Sequence, residues 1–142
     1  MAHSLHVLVV EDDPDVAEYL RLVLVKKAGM RVELAASVEV AADVLRRLDI
    51  DVMLTDIELP GCSGFELATR ARELVPLIPI AVMTAHTSAD YAITANRCHA
   101  DEFLVKPIRA ATLISTVTLL AQLGRDRHCA QGAGRQKAEA FG

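Results

Sequence analysis

Five short apolar runs punctuate the chain: "LHVLVV" (5–10), "RVELA" (31–35), "VMLTD" (52–56), "IAVMT" (80–84) and "EFLV" (102–105). Longer stretches follow them in which apolar residues recur every three or four positions, as in Val16, Leu20, Val23 and Leu24. Val40, Val44, Leu45 and Leu48 repeat the pattern. The runs have the length of strands and the stretches the period of helices. Helix starts are marked as well. Asp13 before Pro14 fits an N-cap with proline in the first turn, and Ser37, Ser63 and Ser88 are candidate caps for the next three helices. Gly29 suits the end of the first helix.

Strand and helix alternating five times predict an α/β domain, doubly wound, with a parallel sheet and helices on both faces. The first, third and fourth runs are the most continuously apolar, as expected of strands buried on both sides. The second and fifth carry charges and suit edges. That ranking favours the strand order 2-1-3-4-5.

The last helix, expected over about 109 to 124, has no charged residue from 110 to 124. Leu113, Val117 and Leu120 form its expected core stripe, and Ile114 and Leu119 widen it. A wide core face and a partner surface both account for that breadth. Residues 125–142, "RDRHCAQGAGRQKAEAFG", are small and polar, and suit a flexible tail or the start of a linker. The expected domain is therefore 1–124.

Composition narrows the classes. A chain of 142 residues, 52% hydrophobic and 24% charged, is expected to form one globular unit with a real core. A net charge of -4 leaves no nucleic-acid footprint. The three cysteines are odd in number and far apart, and neither they nor the five histidines have metal-ligand spacing. Nothing near the N-terminus resembles a secretory signal, and no segment approaches the ~18 apolar residues of a membrane span. The expected setting is a reducing cytoplasm, away from membrane and nucleic acid.

In an open parallel sheet, ligands sit at the carboxyl ends of the strands. Glu11, Asp12 and Asp13 follow the first run, Asp56 ends the third, Thr84 ends the fourth, and Lys106 and Pro107 follow the fifth. Each is ordinary alone: Asp13 caps a helix, and a Lys-Pro pair makes a solvated turn. Together they assemble carboxylates, a hydroxyl and an ammonium on one edge. The chemistry this suggests is phosphoryl transfer to a carboxylate. Clustered carboxylates hold a hard cation such as Mg2+, an aspartate can attack phosphorus, and the lysine and hydroxyl bind phosphoryl oxygens.

These segments resemble the response-regulator receiver domains of two-component signalling. "VLVVEDDP" is similar to the family's acidic segment, "LTDIELPGCSGFEL" to its phosphoacceptor segment, "VMTA" to its switch hydroxyl and "DEFLVKP" to its aromatic-lysine segment. The resemblance spans about 5 to 124, with the four motifs in order. It implies a CheY-like, flavodoxin-like fold with Asp56 as phosphoacceptor. Glu11, Asp12, Asp56 and the main-chain carbonyl of Glu58 would bind Mg2+, with Mn2+ as a substitute. Thr84 would bond the phosphoryl group, Lys106 would pair with it, and Phe103 would be the aromatic switch. Lys106–Pro107 would be cis.

Glu58 and His86 lie where family members tune dephosphorylation, although solvated loop side chains are the plainer reading of both. Cys62 reads as incidental. Two positions depart from the pattern: His99 stands where glycine is common, and Phe103 lacks a hydroxyl. The implied donor is a histidine kinase or histidine phosphotransfer protein. The implied output is a homodimer or effector contact through the fourth helix, fifth strand and last helix.

Two other classes compete. A magnesium-dependent phosphatase with an aspartyl intermediate would need an Asp-x-Asp-x-Thr run after the first strand, where this chain has "EDDPDV". A phosphate-independent receiver-like binding module would not need the intact acceptor, acids, hydroxyl and lysine.

Overall fold

A computed structural model describes residues 4–85 and 100–141, with side chains through 131. Five parallel strands form one sheet: β1 (His6–Val10), β2 (Arg31–Ala35), β3 (Val52–Asp56), β4 (Ile80–Thr84) and β5 (Glu102–Val105). Their order is β2-β1-β3-β4-β5, as the hydropathy ranking favoured. β1, β3 and β4 are buried throughout, whereas β2 and β5 expose residues.

Alternation along β1 builds two cores. Val7 and Val9 join Leu54, Met83, Leu104 and the helix residues Leu20, Leu24, Leu113 and Val117 on one face. Leu8 and Val10 join Met53, Ile80, Val44, Leu45, Leu67 and Ala71 on the other. Successive side chains of a strand point to opposite faces, so a strand apolar at every position is one covered twice.

Three helices follow strands with the caps that the sequence announces. In α1 (Pro14–Leu22) the Asp13 carboxylate accepts the amides of Asp15 and Val16. In α2 (Val38–Arg47) the Ser37 hydroxyl accepts the Val40 amide. In α3 (Gly64–Leu74) the Ser63 hydroxyl accepts the Glu66 amide. α1 widens into a π-helical turn at Val23–Lys27, capped by Ala28 and followed by Gly29 with φ +66°. Leu20, Val23 and Leu24 all reach the core across that widened stretch. The fourth helix and its Ser88 cap lie outside the described residues.

The C-terminal helix differs from expectation at its far end. It runs over Ala110–Phe141 and does not stop at Gly124. Gly124 is a contact residue, because an added Cβ would lie 3.0 Å from Pro79 Cγ. One turn later Arg127 forms an ion pair with Asp101, so a residue assigned to the tail is fastened to the domain. Leu113, Val117 and Leu120 are buried as expected, and Ile114 packs against the same core. Leu119 points outward and is 68% exposed. The broad apolar stripe is thus mostly core, with one leucine outside it. Among the described residues no helix is long and apolar enough to cross a membrane.

Candidate functional site

The carboxyl ends of β1, β3, β4 and β5 bring the charged residues of separate segments together. Glu11 follows β1, Asp56 closes β3, Thr84 closes β4, and Lys106 follows β5. Parallel pairing enforces this, since Val10 lies beside Thr55, Asp56 beside Met83, and Thr84 beside Val105. The loop after β5 is drawn in by the Lys106 amide, which donates to the Thr84 carbonyl at 2.7 Å. Lys106–Pro107 is cis, as the family resemblance implied.

Lys106 is the hub. Its Nζ donates to Asp56 Oδ2 at 2.6 Å and to Glu11 Oε2 at 2.7 Å. The other Asp56 oxygen accepts the Glu58 amide at 3.0 Å, and the other Glu11 oxygen accepts the Asp13 amide at 3.2 Å. Burial raises the Glu11 carboxyl above the usual carboxylate range, and the Lys106 bond pulls it back only partly. For Lys106, burial works against the charge, but Asp56 and Glu11 together outweigh it and hold the ammonium above its usual value. The lysine is therefore a fixed cation between two acids.

Glu11, Asp12 and Asp56 each present an oxygen, and these oxygens lie within 4.8 Å of one another. Such an all-oxygen set fits a hard divalent cation. Glu11 is buried, Asp12 is exposed, and Asp56 sits at the floor of an open cleft of about 480 Å³. Glu58, Leu59 and Pro60 form its other wall. This wall is a two-strand ribbon, Glu58–Leu59 against Cys62–Ser63, turned through Gly61 at φ +72°. The "ELPG" stretch that follows Asp56 is thus a hairpin that walls the cleft.

Gly64 fixes the end of β3 from behind. Its amide donates to the Ile57 carbonyl at 2.7 Å, and a Cβ there would meet the Asp56 carbonyl oxygen at 2.0 Å. No side chain fits unless the end of β3 moves, so the close approach of α3 to Asp56 depends on glycine.

Thr84 is buried at the end of β4, the strand paired with β3. Phe103 is half-buried against Ile57, Phe65 and Val82, with Ala100 alongside. His86, His99 and Cys98 fall outside the described residues. Cys62 donates its thiol to Glu66 at 2.8 Å, and that bond raises its pKa, which argues against a reactive thiolate.

One cluster escaped the sequence reading. At the opposite end of the sheet, Asp101 accepts the Ile80 amide at 2.9 Å and Arg72 Nη2 at 2.8 Å, and it pairs with Arg127. An acid just before the last strand was the only local cue.

The sequence matches the family model of the response regulator receiver domain over residues 7–118. Response regulator protein PilR of Pseudomonas aeruginosa is 34% identical over 116 residues, which are 82% of this chain and 26% of PilR. Transcriptional regulatory protein FixJ of Azorhizobium caulinodans is 34% identical over 125 residues, 88% of this chain and 58% of FixJ. This chain thus spans about a quarter of PilR and just over half of FixJ. A crystal structure of a putative response regulator from Chloroflexus aurantiacus superposes with TM-score 0.80 at 33% identity, covering 84% of this chain and 99% of that one.

Proposed function

The chain belongs to the response regulator receiver domain family of two-component signalling, and from that premise we propose that it accepts a phosphoryl group on Asp56. The observation that carries this reading is the setting of Asp56. One oxygen is held by a main-chain amide and the other by the Lys106 ammonium, at the floor of an open acidic cleft.

The donor is a phosphohistidine of a histidine kinase or histidine phosphotransfer protein, met in the cytoplasm. An Asp56 carboxylate oxygen attacks phosphorus, the phosphorus–nitrogen bond breaks, and its electron pair leaves on the donor imidazole. The product is an aspartyl phosphate. Glu11, Asp12, Asp56 and the main-chain carbonyl of Glu58 would hold Mg2+, or Mn2+ in its place. When bound, the cation supplies positive charge to the phosphoryl oxygens and the facing carboxylates. Lys106, already 2.6 Å from Asp56 Oδ2, reaches a group attached to that oxygen with little movement. Thr84 supplies a hydroxyl from the neighbouring strand end, and Glu58 on the cleft wall tunes the lifetime of the phosphate.

A receiver that forms this bond gains the mass of one phosphoryl group from a small donor such as phosphoramidate in Mg2+. The gain is acid-labile, and excess EDTA prevents it. Intact-protein mass spectrometry reads both. A chain that stays unlabelled in Mg2+, or labels equally in EDTA, disproves the proposal.

Phosphorylation replaces a singly charged carboxylate with a group carrying about −1.5 to −2. Thr84 and Lys106 reorganise around it, and Phe103 repacks at the surface of β5. Residues 1–124 act as the receiver unit, and the helix beyond is fastened to it through Arg127. Among the described residues, Val105 and Leu119 are the large apolar side chains exposed on β5 and the C-terminal helix, a face suited to a second copy or an effector. Beryllofluoride, a phosphoryl mimic, is expected to raise the mass measured by light scattering toward a dimer. A monomer with and without it would exclude the homodimer.

A further inference from the structure

The action of Lys106 depends on the loop that carries it, residues 106–109, between β5 and the C-terminal helix. On the sheet side the Lys106 amide is bonded to the Thr84 carbonyl. On the other side an open cleft of about 570 Å³ separates the loop from α1. Val16, Tyr19 and Leu20 line it from α1, and Lys106, Pro107 and Ile108 from the loop. One polar contact joins these groups: the Tyr19 hydroxyl donates to the Ile108 carbonyl at 2.9 Å, across 89 positions of sequence.

Tyr19 is an odd choice for packing alone. It is 43% exposed, while its helix neighbours Leu20, Val23 and Leu24 fill the core. A leucine or methionine would cover the same apolar wall without a hydroxyl. What the tyrosine adds is a donor aimed at the main chain two residues beyond the lysine. Resting on the function proposed above, we propose that Tyr19 is a positioning residue for phosphoryl transfer. Its hydroxyl ties the 106–108 loop to α1 and so holds the Lys106 ammonium on Asp56 and Glu11. The tie restrains the loop from the side where packing is open, as the Thr84 carbonyl restrains it from the sheet.

Tyr19→Phe keeps the ring and removes the tie. Labelling by phosphoramidate in Mg2+, which needs no protein partner, is expected to slow about fivefold, the effect of one modest hydrogen bond. A double-mutant cycle separates positioning from general loosening. In a Lys106→Ala background, Tyr19→Phe is expected to change the rate no further, because there is no ammonium left to place. Multiplicative losses in the two backgrounds, or a Tyr19→Phe rate equal to the parent's, overturn the inference. Tyr19→Leu gives a second reading: the slowing should recur at a thermal midpoint matched to Tyr19→Phe. Failure here is distinct from failure of the receiver reading, because in that case the parent protein itself would not label.

Discussion

Asp56→Asn is expected to take up no phosphate from any donor, with labelling at background in Mg2+ under conditions that label the parent fully. In the proposed transfer the carboxylate is the nucleophile, and an amide in its place is neutral and far weaker toward phosphorus. The substitution changes little else. Asparagine has nearly the same shape, its carbonyl oxygen can still accept the Glu58 amide, and Lys106 keeps Glu11 as partner. Gly64 still allows α3 to approach the strand end. Loss of labelling with an unchanged circular-dichroism spectrum would therefore report chemistry and not unfolding. Persistent labelling would assign the phosphate to another residue.

Asp101→Ala is expected to leave that chemistry in place and weaken the fold. Its side chain is only 10% exposed and accepts from the Ile80 amide, Arg72 and Arg127. Those donors belong to the start of β4, to α3 and to the C-terminal helix, so one carboxylate closes three elements onto β5. Removal takes one partner from each of two partly buried guanidinium groups and the acceptor from the Ile80 amide, at about 3 kcal/mol. Against a total stability of about 5–15 kcal/mol that is a large fraction, and the melting temperature should fall by about 10 °C. Urea denaturation measures the loss directly. A cost below about 1 kcal/mol would mean that water and other groups replace the carboxylate, as at exposed pairs. Labelling at Asp56 should persist in the folded fraction, because the cluster lies at the opposite end of the sheet.

Asp56 and Asp101 also differ in how legible they were. Asp56 ends an apolar run, and its neighbours in the site end other runs, so the rule that parallel sheets bind at strand ends found them together. Asp101 precedes a run, where no such rule applies. Its charged partners Arg72 and Arg127 lie 29 and 26 positions away. Arginines in helices are common, and nothing local marks these two as inward. The far end of the last helix was missed for a related reason: Gly124 makes room for Pro79, a contact with no local trace, and the helix continues past it. Nothing local singles out Tyr19, because its partner is a main-chain carbonyl 89 positions away.

The sequence by itself determined the five strands, the caps at Asp13, Ser37 and Ser63 and the kinds of group at the sheet's carboxyl edge, and it favoured the observed strand order. Those properties follow from periodicity and turn chemistry, which act over a few residues and leave a local trace. Only the tertiary structure decided which oxygens Lys106 bonds, which helix ties its loop, where the last helix is fastened, and that "ELPG" walls a cleft. Such choices depend on distances between segments 26 to 95 positions apart. Strand register and helix packing set those distances, and no single segment carries that information.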